Sequence, residues 1–279
     1  MRLWRRPERG REIPLAMRLL SGPVIAAMRL IQDLTVTGTE NLPASGPAIF
    51  ISNHTSHLDG FVVAVALYQA GIPPRFMAKK ELFAEPLGTA LRALGQVEID
   101  RDAPGGAIEQ MAEILDEDWS LIIFPEGTFT HDPAGWPMRA KTGLARLHEA
   151  RPNVPIIPVS HWGNERIIHQ WTGRIRWPRI LHRTERVLLH FGSPIELTGA
   201  TYREQADSAM TTIAHEVARL RAELGRPMGT PPSERFEPEA LNHRLRRQAR
   251  QDAKALRLAM KKVRRAKLRA RVRRLFGRP

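Results

Sequence analysis

The stretch ISNHTSHLDGF, residues 51–61, places His54, His57 and Asp59 within six positions, directly after an apolar run. An imidazole held by a carboxylate at one ring nitrogen can use the other as a general base near neutral pH. Within a single helix, residues 54 and 59 would sit about 140° apart at about 100° per residue, too far round to meet easily. If His54 lies instead on a strand-to-helix turn, with Asp59 in the first helical turn, the ring can fold back onto the carboxylate. The plain alternative is local: Ser56-His-Leu-Asp59 fits a capping box with Asp59 at the third helical position.

A second polar cluster follows another apolar run. In LIIFPEGTFT the chain passes from Phe124 into Pro125, Glu126, Gly127 and Thr128. A carboxylate and a tight turn carried off the end of a buried strand suit a binding site. A turn and helix cap is the structural alternative.

Other chemistries are excluded by residue type. The chain has no cysteine, which rules out disulfides, thiolate zinc sites and a cysteine nucleophile. No Gly-x-Ser-x-Gly elbow occurs. GWPMRAKT, residues 135–142, approaches a phosphate loop, but Ala140 stands where the second glycine is needed and Phe124 ends the nearest strand well before it. His148-Glu149 and His215-Glu216 lack the second histidine of a zinc helix, so no metal is expected.

The elements that would position these clusters alternate along the chain. Strand-like runs are LTVTG near Thr35, AIFIS from Ala48, RFMAK from Arg75, QVEID from Gln96, LIIF from Leu121, PIIPVS from Pro155 and RVLLHFG from Arg186. Runs without alternation, such as LIIF, suit strands covered on both faces. Helical patterns fall at residues 59–71, 85–95, 104–118, 141–150 and 202–224, with Gly71 and Gly95 as helix stops. The expected fold is α/β: a layered α/β/α domain around a mixed, largely parallel sheet of about seven strands. In such sheets, ligands bind at turns leaving the carboxyl ends of strands.

The 279 residues divide into four expected segments: an arm at 1–33, the main domain at 34–224, a Pro-rich linker at 225–239 and a tail at 240–279. The formal charge of +14 is concentrated in the tail, which holds sixteen lysines and arginines against Asp252 alone, leaving −1 for the other 239 residues. Leu241, Leu245, Leu256, Met260 and Val263 recur there at helical spacing, giving a basic amphipathic helix suited to an anionic membrane surface. Nucleic-acid binding is the competing reading, but no aromatic stacking pattern or recognition module accompanies the cations.

In the arm, Ile13 to Ile31 is interrupted by Arg18 and Arg29, and its longest charge-free run, Leu19 to Met28, is ten residues. That is too short to span a bilayer, which takes roughly 20. It reads as an interfacial amphipathic segment kinked at Pro23, or as an ordinary buried helix. No apolar core followed by a small-residue cleavage site is present, so no secretory signal is expected.

Four ordered blocks resemble the PlsC-like glycerolipid acyltransferases, which include the lysophosphatidic acid (1-acyl-sn-glycerol-3-phosphate) acyltransferases. NHTSHLD is similar to the family's Asn-His-x4-Asp motif and leaves His57 among the variable positions. KKELFAEPLGTALRALGQVEIDR resembles the second block, with Lys80, Pro86, Gly88, Gly95 and Arg101. FPEGT resembles the third, and VPIIPV, residues 154–159, the fourth. The resemblance runs from Val36 to Leu197. It implies an O-acyltransferase that moves a fatty acyl group from acyl-CoA, or from an acyl carrier protein, to the free hydroxyl of 1-acyl-sn-glycerol-3-phosphate, giving phosphatidic acid.

On that resemblance His54 is the general base and Asp59 its orienting partner. Lys80, Arg101, Glu126, Gly127 and Thr128 bind substrate, Arg101 suiting bidentate phosphate binding and Glu126 contacting the glycerol or holding Arg101. Without the resemblance, Arg101 could simply pair with Asp100 or Asp102. No cofactor or metal is implied beyond the thioester co-substrate, and the expected place is the cytoplasmic face of the cell membrane, as a peripheral protein. Partners are the thioester donor, a lysophospholipid acceptor and an anionic membrane; the oligomeric state is left open.

Departures matter too. The family often continues FPEGT with Arg-Ser, where this chain has Phe129 and Thr130, in a run that looks more like an actinobacterial branch. Arg139 and Lys141 are candidates to supply the missing positive charge. Trp162, Trp171 and Trp177, among arginines, could line an acyl channel or touch headgroups, or could sit in surface loops. Another lysophospholipid or a glycolipid is the alternative acceptor, and an inactive acyltransferase-like body that binds nucleic acid or membrane is the alternative of a different class.

Overall fold

In the computed structural model, residues 15–79, 83–85, 87–99, 106–132, 134–168, 185–226 and 231 are described. Seven strands form one sheet: β1 (Gln32–Thr37), β2 (Ile49–Ser52), β3 (Pro74–Lys79), β4 (Val97–Ile99), β5 (Ser120–Ile123), β6 (Ile156–Trp162) and β7 (Glu185–Phe191). Their spatial order is β1-β7-β6-β2-β5-β3-β4. Every adjacent pair is parallel except β6 with β7. The mixed, largely parallel sheet expected from the alternating runs is thus the one observed.

Helices α1 (Leu15–Ile31), α2 (Asp59–Gln69), α3 (Leu87–Ala93), α4 (Gly106–Asp116), α5 (Gly143–Ala150) and α6 (Tyr202–Glu223) complete the layers. Two apolar cores cover the sheet. Phe50, Ile157, Val159, Val187 and Leu189 face α1 and α2, whereas Ile49, Ile51, Ile156 and Leu188 face α4, α5 and α6. Alternate residues of one strand therefore enter opposite cores, and the central strands read as unbroken apolar runs because both faces are dry.

The helix α1 has a buried face and an exposed one. Met17, Ile25 and Met28 are buried against the domain, while Leu15, Leu19 and Leu30 are 68%, 67% and 73% exposed on the outer face. The helix runs through Pro23. Trp162 is buried in the α6-side core with the Arg221 guanidinium 3.9 Å above its ring, so it lines no channel. Burial of that guanidinium lowers its pKa to about 10. Trp171 and Trp177, the arm before Leu15, almost all of the 225–239 linker and the basic tail lie outside the described residues.

The topology decides where chemistry can occur. Since β2 is parallel to both its neighbours, β5 and β6, the carboxyl ends of all three lie side by side. The segments leaving those ends are NHTSHLD, FPEGT and GNER. The ends of β3 and β4 share the same edge.

Candidate active site

The turn after β2 begins at Asn53, which is clamped by two hydrogen bonds to β6. Its amide donates to the His161 carbonyl at 3.0 Å, and its side-chain oxygen accepts the His161 N–H at 3.1 Å. The chain then runs without regular structure to Asp59, where α2 begins. His54 and Asp59 are consequently not on one helix, and the angular objection to their meeting disappears.

They do meet. His54 Nδ1 lies 3.0 Å from Asp59 Oδ2. The same oxygen accepts the N–H of Thr55 at 2.5 Å and of Ser56 at 2.7 Å. The capping box expected from Ser56-His-Leu-Asp59 is not formed, because Asp59 is the first helical residue rather than the third and Leu58, the N-cap, makes no side-chain cap bond; the Ser56 and Thr55 bonds hold the turn instead. Asp59 Oδ1 accepts from the Asn164 amide at 3.1 Å and lies 3.7 Å from His161 Nδ1.

Asp59 is fully buried. Burial by itself would raise its pKa; the His161 ring, the His54 hydrogen bond and the Ser56 N–H more than offset it, and the carboxyl is held below its ordinary value. A carboxylate only accepts hydrogen bonds, so Nδ1 of His54 carries the proton it donates to Asp59. Among the described residues Nε2 of His54 has no hydrogen-bond partner, and its lone pair is free to take a proton.

Aromatic rings fix the plane of that imidazole. Phe124 stacks on it with centroids 4.2 Å apart, and Phe129 tilts against it at the same distance. Phe129 also meets His57 edge-on at 4.4 Å. His57 is exposed and holds no carboxylate among the described residues, which fits its place among the variable motif positions. The residue standing where the family often has arginine thus packs against the candidate base.

Glu126 joins the second cluster to the first. Its Oε1 accepts the backbone N–H of His54 at 2.9 Å, and its Oε2 accepts the N–H of Met138 at 2.8 Å. The carboxylate is buried, and Thr130 N–H donates to the His54 carbonyl at 2.7 Å. Glu126 therefore holds the histidine's backbone, a role the sequence did not suggest.

Gly127 turns with φ +69°, and a Cβ there would stand 2.9 Å from Lys141 Cε and 3.3 Å from its Nζ. The lysine stem lies across the glycine, and its ammonium comes to the FPEGT turn. Arg139 is directed elsewhere, its Nε and Nη2 donating to Asp207 Oδ2 at 3.0 and 2.8 Å. Lys141 is the candidate cation whose stem lies against the Gly127 turn. Lys80 and Arg101 lie outside the described residues.

The turn after β6 supplies a third wall. His161 and Asn164 are both fully buried, and Gly163 between them has φ +120°, with space for no side chain because a Cβ would stand 2.4 Å from the Arg186 carbonyl oxygen. Ser56 Oγ donates to the Ile168 carbonyl at 2.8 Å, tying this turn to the first. Glu165 accepts the Gly163 N–H at 2.9 Å, and burial, with the nearby Asp59 charge, raises its pKa. Sequence reasoning missed His161 and Asn164, although SHWGNE is a polar cluster at the end of an apolar run, the signal that marked the other two. No group of three or more His, Asp or Glu side chains fit to hold a metal ion occurs among the described residues.

Residues 33–162 match the Acyltransferase family. A 1-acyl-sn-glycerol-3-phosphate acyltransferase from Limnanthes douglasii is 37% identical over 134 residues, 46% of each chain. The human 1-acyl-sn-glycerol-3-phosphate acyltransferase alpha is 35% identical over 129 residues, 44% of each. The chain thus spans less than half the length of these curated relatives. The crystal structure of the 1-acyl-sn-glycerophosphate acyltransferase PlsC from Thermotoga maritima superposes with a TM-score of 0.57 at 24% identity, covering 74% of this chain and 80% of that one, and so shares the fold. Residues 33–162, which carry the His54–Asp59 and FPEGT turns, are thus the part of the chain that is similar to the acyltransferases.

Proposed function

We propose that this chain is an O-acyltransferase that moves a fatty acyl group from a thioester, acyl-CoA or acyl carrier protein, to the hydroxyl of 1-acyl-sn-glycerol-3-phosphate, giving phosphatidic acid. The observation that carries the reading is the 3.0 Å His54–Asp59 contact with Nε2 left open. Nε2 takes the proton as the hydroxyl oxygen attacks the thioester carbonyl, the C–O bond forms, and collapse of the tetrahedral adduct breaks the C–S bond. The departing thiolate receives the proton back from the imidazolium. No acyl-enzyme, metal or organic cofactor enters this scheme. A positioned general base contributes about 10²–10⁴-fold, and holding both substrates together contributes further.

Acceptor phosphate binding is assigned to Arg101 and Lys80, with Lys141 as the additional cation at the Gly127 turn; Thr128 and the Gly127 backbone border the acceptor. The shared edge of β3, β4 and β5 supports this assignment. Phe129 in place of arginine favours one second reading, in which the acceptor carries less negative charge, as another lysophospholipid or a glycolipid does. Thiol release from one acyl-CoA, measured with a panel of acceptors for wild type and Arg101→Ala, separates the two. Release driven by lysophosphatidic acid, with its KM raised by Arg101→Ala, supports the first. Absence of acceptor-dependent release with every lipid would leave the inactive, nucleic-acid- or membrane-binding reading.

The protein is further proposed to act as a peripheral protein on the cytoplasmic face of an anionic membrane. No helix among the described residues is long and apolar enough to cross a bilayer. The exposed Leu15, Leu19 and Leu30, flanked by the exposed Arg18 and Arg29, form a face suited to the headgroup boundary. Each tail cation near such a surface adds about 1 kcal/mol at most. Sedimentation with anionic liposomes should fall on removal of residues 240–279; equal binding would exclude the tail as an anchor.

A further inference from the structure

Asn164 and His161 lie outside the motif blocks, yet they are the groups that meet Asp59 on the side away from His54. We infer that Asn164, backed by His161, is a positioning residue for the His54–Asp59 pair. The inference rests on the acyl-transfer reading only for its kinetic test.

The geometry is specific. Asp59 Oδ2 is crowded by three donors, from Thr55, Ser56 and His54, whereas Oδ1 has one hydrogen-bond donor, the Asn164 amide at 3.1 Å. A carboxylate anchored at one oxygen can still swing about its Cβ–Cγ bond; anchoring the second fixes the plane in which Oδ2 faces His54. The amide orientation is set by chemistry, because Asp59 can only accept and must face the nitrogen of Asn164. The second hydrogen of that nitrogen points to His161 Nδ1 at 3.4 Å. His161 Nε2, 2.9 Å from the Asn53 carbonyl, carries a proton because a carbonyl only accepts, and in the neutral ring this leaves the Nδ1 lone pair toward Asn164.

The result is a chain of hydrogen bonds through the Asn53 carbonyl, His161, Asn164, Asp59 and His54. Asn53 in turn grips the His161 backbone, so both ends of the relay are tied to the same two adjacent strands. Every member but His54 is buried, and the Asn164 side-chain oxygen has no hydrogen-bond partner among the described residues, so the amide is held through its nitrogen alone. Gly163 is the residue that makes the arrangement possible, since its positive φ returns the chain from β6 so that Asn164 faces the α2 N-terminus.

The test separates hydrogen-bond donation from packing. Asn164→Leu keeps the branched shape and heavy-atom count and removes the donor; Asn164→Ser loses volume but keeps one. Positioning predicts that Asn164→Leu lowers kcat about 10–10²-fold with KM within about twofold, less than the ~10²–10⁴-fold of losing a base outright. Asn164→Ser should then recover part of that loss. A packing role predicts the opposite ranking and would overturn the inference.

The second readout needs no turnover. In ¹⁵N-histidine spectra of the full chain, wild-type His54 should be the Nδ1–H tautomer and His161 the Nε2–H tautomer. Asn164→Leu should move His54 toward a tautomer mixture. An unchanged His54 signal in folded Asn164→Leu protein overturns the positioning role, whereas lack of acyl transfer by wild type overturns the function and leaves this readout intact.

Discussion

Replacing Asp59 with asparagine removes one charge and adds two hydrogens at the most densely bonded side chain of the site. The carboxylate accepts from Thr55 and Ser56 N–H at 2.5 and 2.7 Å, His54 Nδ1–H at 3.0 Å and Asn164 at 3.1 Å. An asparagine oxygen in the place of Oδ2 keeps the first three, but its amide then faces the Asn164 amide, donor against donor. Hydrogen bonds to a charged group contribute about 1.5–3 kcal/mol each and neutral ones about 0.5–1.5. Roughly 1 kcal/mol is lost at each of the three retained contacts and about 1.5–3 kcal/mol with the fourth, so the variant should be roughly 5 kcal/mol less stable. For a domain of this size that lowers Tm by about 2–4 °C per kcal/mol.

The pH dependence checks the cause. A carboxyl whose folded pKa lies below its unfolded value, about 3.9, contributes stability that is fully present above that value and lost as pH falls through the folded one. The Tm gap between wild type and Asp59→Asn should therefore be constant from neutral pH down to about 4 and narrow only below it. Thermal unfolding followed by circular dichroism at several pH values measures this. A variant as stable as wild type at pH 7, or a gap already closing near pH 6, would refute the reasoning that Asp59 is a buried, multiply bonded anion.

Glu126→Gln leaves one amide hydrogen facing a backbone N–H of His54 or Met138, so urea unfolding should show a loss of about 1–3 kcal/mol; unchanged stability would mean that Glu126 does not bridge the turns. Gly127→Ala forces a side chain into the left-handed region, and should be less stable by roughly 1–2 kcal/mol. If its Tm matches wild type, the Lys141 stem and the turn yield more easily than their packing implies.

Much of this architecture was legible because its signals are local. Unbroken apolar runs such as IFIS and SLII read as strands since both sheet faces are covered, and the alternation with amphipathic stretches fixed the α/β class. The His54–Asp59 contact was legible only as a conditional, because it depends on His54 lying on the turn before α2 rather than within one helix with Asp59. Glu126 was found, but its bonding was not. Its partners are backbone N–H groups 72 residues before it and 12 after it, and backbone donors carry no sequence signature. Asn164 and His161 were missed for a similar reason, as only the parallel pairing of β2 with β6 brings residues 105 positions apart to Asp59.

The central claim is that His54 Nε2 takes the acceptor proton while Asp59 holds the other ring nitrogen. The initial rate of acyl transfer from labelled acyl-CoA to 1-acyl-sn-glycerol-3-phosphate, measured for folded His54→Ala and His57→Ala side by side, tests it most directly. His54→Ala should lose about 10²–10⁴-fold in rate, while His57→Ala keeps substantial activity. Near-normal turnover by His54→Ala, or the reverse ranking, would contradict the account.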